Sequence, residues 1–347
     1  MHPTVLGEGG FGCVIQPSLP CDKKSSSKAM TFSSNETKYK DKAKATRSKR
    51  ADNTVSKLFA NKRDFMEEVV ASRKVASIDP AGELMLLPTK GCKVSKNALK
   101  KNVAVRSCEN IDRHVQNVYQ LHMPYGGTRF DQYVKMMMMT KPMTPTELLR
   151  LMTPLFKALV LLEKRKMCHM DIKHGNVLIR PSDNHPIIID YSLITPYKHI
   201  YSMDNIRTLR HAYFPYPPEF QIFYADAIQE QDAQERVIKN LKSWGQSRYR
   251  LYCKYISQKE LGTTVSKVAR SLGSLLSEKK KAWLDEYCNR IDIYSVGIMI
   301  VEVSEYLDYS LKDVSFSFKR FIKRLIHPDV TKRITPQQAL DFVERIK

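Results

Sequence analysis

The sequence predicts a two-lobed α+β fold, with a small β-rich lobe at residues 1–123 and a larger, mainly helical lobe at 124–347. Three observations predict it. Short apolar runs separated by glycine and basic turns fill the first third of the chain, as strands do. The stretch Pro124-Tyr125-Gly126-Gly127 is a strong turn signal and a natural boundary. Beyond it, apolar residues recur at helical spacing almost to the end.

In the first lobe, Thr4-Val5-Leu6 and Cys13-Val14-Ile15 read as two strands joined by the glycine-rich turn Gly7 to Gly12. Residues 17–53 are rich in Lys and Ser and poor in large aliphatics, the composition of a solvated, mobile excursion. Val55 to Phe59 reads as a strand, and 62–77 as a helix carrying Phe65, Val69, Val70 and Val75. Two or three strands fill 83–123, the last containing Leu121 and Met123.

In the second lobe, Thr146 to about Arg165 is an amphipathic helix with Leu149, Met152, Leu155, Phe156, Leu159 and Leu162 on its buried stripe. Short strands surround 177–179 and 187–189. Residues 225–288 are polar with a helical pattern, and 291–303 read as a buried helix. The last helix is expected to start at Pro336, capped by Thr335.

Bulk properties narrow the function classes. The chain has 347 residues, 42% hydrophobic, with apolar runs too short for a transmembrane segment. Met1-His2-Pro3-Thr4 carries neither the basic nor the apolar region of a secretory signal. Seven cysteines without C-x-x-C spacing predict free thiols in a reducing compartment and no zinc site. A net charge of +21 predicts attraction to acidic partners. Dedicated nucleic-acid binding is possible but not favoured, because the basic residues do not alternate with aromatics as in a single-strand groove.

The chemistry concentrates in His169-Met170-Asp171-Ile172-Lys173-His174-Gly175-Asn176, followed by Ile187-Ile188-Ile189-Asp190. Phosphoryl transfer from ATP needs such a set: a carboxylate to orient the attacking hydroxyl (Asp171), a cation for the charge in flight (Lys173), and oxygen donors for Mg²⁺ (Asn176 and Asp190). His169 reads as structural. Gly7-Glu8-Gly9-Gly10-Phe11-Gly12-Cys13-Val14 fits G-x-G-x-x-G-x-V, whose glycines let backbone N–H groups approach phosphates. It leads into a strand rather than a helix, which argues against a dinucleotide site. Lys57, on the next long strand, can pair phosphates if a helix carboxylate holds it; Glu68 is favoured because Phe65 precedes it on the inward face, with Glu67 the alternative. Glu219, in Pro217-Pro218-Glu219, could meet Arg333, and Asp292 could accept backbone N–H bonds from the catalytic loop.

Taken in order, G-E-G-G-F-G-C-V, V-S-K, a helix glutamate, H-M-D-I-K-H-G-N, I-D-Y-S, P-P-E, D-I-Y-S-V-G and K-R-I-T resemble the eukaryotic-type serine/threonine protein kinases over nearly the whole chain. The abrupt start at the first strand, the G-G-F-G-C-V-I-Q-P-S-L-P-C run and the large inserts are similar to kinases encoded by large DNA viruses. The resemblance implies a kinase-like bilobal fold, ATP and Mg²⁺ as cofactors, protein substrates, and adenine lying along Leu121 to Gly126. It also implies a cytoplasmic location (host cytoplasm or virion), and an activation loop over 190–219 holding Thr195, Tyr197, Tyr201, Ser202 and Thr208 as candidate phosphosites.

Three positions depart from the family pattern. Met170 stands where an arginine usually grips a phosphorylated loop, implying weak dependence on loop phosphorylation. Tyr191-Ser192 replace Phe-Gly after the metal aspartate, and Pro217 replaces alanine. The serine motivates an alternative reading as a pseudokinase or scaffold that binds without turnover. The inserts at 17–53 and 225–288 are decoration or docking surfaces.

Overall fold

The computed structural model describes residues 4–9, 12–22, 30–31, 54–102, 105, 107–109, 111, 117–141, 143–201, 216–227, 233–243, 245–273, 279, 282, 285–307 and 312–346. Gly10, Phe11, Ser202, Thr208, most of the 17–53 insert and part of the 225–288 insert lie outside these. The protein is a mixed α+β chain of two compact units, residues 1–127 and 128–347. No helix among the described residues is long and apolar enough to cross a membrane.

The N-terminal unit is built on an antiparallel sheet. Its elements are β1 (Thr4–Gly9), β2 (Gly12–Gln16), β3 (Met30–Thr31), β4 (Thr54–Phe59), α1 (Lys62–Ile78), β5 (Lys90–Lys93), α2 (Lys96–Lys101) and β6 (Tyr119–Pro124). The strand order is β1-β2-β4-β6-β5-β3. Register divides the side chains between two faces, because directly opposed residues point the same way. Val14, Lys57 and Leu121 form one cross-strand row. That face meets α1, where Phe59, Phe65, Val69 and Leu121 pack together. The other face buries Cys13, Ile15, Leu58 and Val94 against Leu19, Val105, Cys108, Ile111 and Val118. Helix α1 starts where the Asn61 side chain accepts from the Asp64 backbone N–H, and it buries Phe65, Glu68, Val69, Ser72 and Val75 on one stripe.

Two sequence expectations need correction here. Residues 17–22 are tied to the sheet rather than solvated: Ser18 N donates to Thr54 O at 3.1 Å, Asp22 N to Lys93 O at 2.9 Å, and Ser95 N to Pro20 O at 2.9 Å. The Lys/Ser composition of the insert masked this, because backbone pairing leaves no trace in side-chain type. The cysteines are also not all free thiols. Cys13–Cys108 and Cys21–Cys92 are disulfides across 95 and 71 residues of sequence, while Cys168, Cys253 and Cys288 are outside any disulfide. Core packing brings Cys108 to Cys13, and the bridge of Cys21 to Val94 brings Cys21 to Cys92; no local spacing announces either pair.

The C-terminal unit comprises β7 (Thr128–Arg129), α3 (Phe130–Thr140), α4 (Pro145–Lys164), β8 (Met167–Cys168), β9 (Val177–Arg180), β10 (His185–Ile188), β11 (Thr195–Pro196), α5 (Tyr197–Ile200), α6 (Pro218–Ala227), α7 (Ala233–Ser243), α8 (Gln246–Cys253), α9 (Gln258–Gly273), α10 (Ile291–Val303), α11 (Lys312–Leu325) and α12 (Pro336–Arg345). Helix α4 opens with a reciprocal cap between Thr144 and Glu147, one residue ahead of the expected start. Its stripe buries Leu148, Met152, Leu155, Phe156 and Leu159, and tolerates Pro154 inside the helix. Phe321 joins the layers, edge-on to Phe156 and stacked on Phe342. Helix α10 is buried on nearly every side. A Cβ at Gly297 would collide with Ile326 and Leu325, so only glycine lets that close approach occur. The helical pattern read over 225–288 becomes α7, α8 and α9, which bury Val237, Leu241, Tyr252, Leu261 and Val265.

A bidentate ion pair crosses this unit. Arg333 Nη1 and Nη2 donate to Glu219 Oε1 and Oε2 at 2.7 and 2.8 Å, and both side chains are fully buried. The guanidinium also donates to the carbonyls of His327 and Arg290 and lies over the Tyr294 ring. Burial opposes the charge on Arg333, but the Glu219 carboxylate overrides it and the pKa is raised. Removing one partner strands the other charge, so Arg333→Ala is expected to destabilise the unit by about 3–5 kcal/mol. Urea denaturation should show this loss for either single alanine variant, and a smaller loss when Glu219→Leu and Arg333→Met are combined.

Candidate functional site

In the N-terminal unit, Lys57 Nζ lies 3.0 Å from Glu68 Oε2, with side-chain exposures of 11% and 7%. Glu67 is instead on the outer face, paired with Arg63 at 2.9 Å. The helical phase set by Phe65 explains the choice. The Lys57 ammonium also sits 5.6 Å from the Phe59 ring centre. Partial desolvation strengthens the Lys57–Glu68 attraction and leaves the lysine in a defined position on the sheet face.

The glycine turn leads from β1 into β2, with Gly9 opposite Gly12. A Cβ at Gly12 would run into the carbonyl oxygen of Leu58, whereas one at Gly7 would meet nothing. Gly12 is therefore required by packing, and Gly7 is not. Glu8 is exposed and Val14 half-buried. Met123 is half-buried in β6, while Leu121 is buried in the cluster facing α1.

In the C-terminal unit, the loop from His169 to Asn176 is shaped from below by Asp292, at the start of α10. Asp292 Oδ2 accepts from His169 N at 2.7 Å and Oδ1 from Met170 N at 3.0 Å. Burial pushes the Asp292 carboxyl above the usual carboxylate range, opposed by these two donors and by His169. Met170 has φ +68°. That left-handed conformation is uncommon for a side-chain-bearing residue and costs roughly 1–3 kcal/mol. The paired backbone bonds to Asp292 offset that cost.

The left-handed residue turns the chain so that three polar side chains meet. Lys173 Nζ is 3.0 Å from Asp171 Oδ1. Asn176 Nδ2 donates to Asp171 Oδ2 at 2.8 Å and to the Asp171 carbonyl at 3.0 Å. Asp171 N in turn donates to His169 Nδ1 at 3.3 Å. Ile189 N donates to Asn176 O at 3.0 Å, which ties the segment carrying Asp190 to the same loop. Asp190 is half-buried with φ +65°. Tyr191 is buried; its hydroxyl donates to Ile188 O at 2.8 Å and its ring meets His169 edge-on.

With Asn176 Nδ2 committed to Asp171, its Oδ1 is the atom available to a cation. Asn176 and Asp190 offer the hard oxygen donors that Mg²⁺ takes, so the donor chemistry fits. The held carboxylate of Asp171 can accept a proton or orient a hydroxyl, and Lys173 can neutralise charge beside it.

Met170 enters an apolar cluster with Ile200, Tyr201 and Phe220. Sequence reasoning missed a second support of the loop. His174 lies 3.6 Å from Glu302 and 3.9 Å from Asp131, and Arg248 Nε pairs with Glu302 at 2.9 Å. Burial raises Glu302 to about 7 against the pull of Arg248. Arg248 belongs to α8, so the segment 225–288 contributes to the base of the loop; only the unusual length of that segment hinted at a role.

Asp292→Ala removes both acceptors and leaves two buried N–H groups unpaired. At about 1.5–3 kcal/mol for a hydrogen bond to a charged group, its stability loss should exceed that of Asp292→Asn, which keeps one acceptor. Denaturant midpoints of the two variants measure the difference.

Compared with models of known families, the chain matches none, and no curated protein matches it significantly.

Proposed function

We propose that the chain is an ATP-dependent serine/threonine protein kinase, transferring the γ-phosphoryl group of ATP to protein hydroxyls. The observation that carries this reading is the Asp171–Lys173–Asn176 cluster, held on a loop whose backbone is fixed by Asp292. In this reading Asp171 orients the substrate hydroxyl and takes up its proton. Lys173 balances the charge that spreads over the phosphoryl oxygens. Lys57, kept in place by Glu68, pairs the α- and β-phosphates, and the backbone from Gly7 to Gly12 covers the phosphate chain. Asn176 and Asp190 would hold Mg²⁺, which when bound shields the phosphate charge.

The adenine strip runs from Leu121 to Gly126, with Met123 beside the ring and Leu121 backing it from the α1 side. The burial of Met170 among Ile200, Tyr201 and Phe220 supports weak dependence on loop phosphorylation, because an apolar side chain there offers no grip for a phosphate. The kinase-like bilobal fold, the affinity with kinases of large DNA viruses and the cytoplasmic location belong to the same proposal. The charge of +21 favours substrates with acidic segments.

Purified chain given labelled Mg·ATP and a mixture of acidic protein substrates should incorporate phosphate on serine or threonine without prior phosphorylation. Asp171→Asn should lower the rate by about 10²–10⁴-fold, with unchanged ATP binding. Nucleotide binding without any Asp171-dependent incorporation would instead favour the pseudokinase reading.

A further inference from the structure

The sheet face opposite Lys57 brings three soft ligand atoms together. Cys92 on β5 stands opposite Gln120, and Lys90 stands opposite His122 on β6. Cys21 reaches the same point through its bridge to Val94. His122 Nε2 is 3.6 Å from Cys21 Sγ and 3.7 Å from Cys92 Sγ. All three ligand atoms lie within 4.8 Å of one another.

Those two distances are compatible with ligation of one shared ion. With Zn–S near 2.3 Å and Zn–N near 2.0 Å, a tetrahedral angle sets sulfur and nitrogen about 3.5 Å apart. The imidazole therefore already stands where a shared ion would require it. Only the two sulfurs must separate, to about 3.8 Å. A Cα–Cα separation of 5.9 Å allows this by side-chain rotation.

We propose that, after reduction of the Cys21–Cys92 bond, Cys21, Cys92 and His122 bind a divalent transition-metal ion of the zinc type, with the fourth position left to solvent. The chemistry balances. A dithiol reductant gives two electrons and two protons to the disulfide and becomes a disulfide itself. Metal entry then forms two S–metal bonds and one N–metal bond, and releases both thiol protons.

The surroundings are built for such an ion. Gln120 Nε2 is 3.4 Å from Cys92 Sγ, a donor for a thiolate. Its amide cannot turn away, because Ser56 Oγ donates to Oε1 at 2.8 Å and Nε2 also donates to Leu19 O. Orienting contacts of this kind are what tune metal ligands. Cys21 and His122 are half-buried, leaving one open side. Cys13 and Cys108 offer a poorer alternative. Their sulfurs sit among Ile15, Leu58, Val94 and Val105, and their potential partner Glu8 is exposed. The site lies wholly in the N-terminal unit and does not depend on the kinase reading.

The test uses the full chain, reduced with a dithiol, desalted without oxygen, and titrated with Co²⁺ as a spectroscopic stand-in. The expected result is a single equivalent of tetrahedral cobalt with thiolate charge-transfer bands, displaced by Zn²⁺. Cys21→Ser should lose most of the charge-transfer intensity, and His122→Gln should weaken binding at least about tenfold. The double variant Cys13→Ser, Cys108→Ser should keep the bands. Should Cys21→Ser fail to fold, the His122→Gln affinity decides. No cobalt bands in the reduced chain, bands unchanged in Cys21→Ser and His122→Gln, or bands lost only without Cys13 and Cys108 would each overturn the proposal.

Discussion

One buried carboxylate sets the chemistry of the C-terminal unit. Asp292 accepts from two consecutive backbone N–H groups, those of His169 and Met170. Met170, the second of the two, stands in the left-handed backbone region. Helix α10 makes this possible. It is buried nearly all round, locked beside Leu325 and Ile326 by the missing side chain of Gly297, and delivers Asp292 from its first turn. The apolar core thus holds a polar loop in a strained shape, and the strain turns Asp171, Lys173 and Asn176 toward one another.

The N-terminal unit solves a different problem, that of keeping a lysine ordered on a half-buried sheet face. Register places Lys57 in a row with Val14 and Leu121, and the helical phase of α1 brings Glu68 under it. The opposite face is stapled by two disulfides and by the Ser56–Gln120 contact. The two faces therefore carry separate clusters, the Lys57–Glu68 pair on one and the Cys21–Cys92–His122 group on the other. Reduction of Cys21–Cys92 changes the second face while the Lys57–Glu68 pair stays outside it.

Much of this was legible because the signals are local. Thr335 and Pro336 announce the cap of α12, and the spacing from Phe65 to Glu68 selects the inward glutamate over Glu67. The anchoring of the loop by Asp292 and the pairing of Glu219 with Arg333 could be expected only together with the surrounding motifs, since nothing at either position alone separates a buried anchor from a surface charge. Contacts between distant segments without such a pattern were not legible. Cys21 and Cys92 meet through the bridge of Cys21 to Val94 at the end of β5, and Arg248 and Glu302 meet through the packing of α8 against α10. The tie of residues 17–22 to the sheet is made by backbone groups, which every residue type carries alike. Sequence composition predicts solvation of such a segment correctly only when its backbone has no sheet edge to join.

The central proposal is that Lys57 and Asp190 each contribute to the binding of metal-complexed ATP. ATP affinity measured with and without Mn²⁺ tests it most directly. In the wild-type chain the metal should tighten ATP binding. Asp190→Asn should abolish that tightening while leaving the metal-free affinity unchanged, and Lys57→Met should weaken binding under both conditions. ATP binding indifferent to the metal and to both substitutions would contradict it.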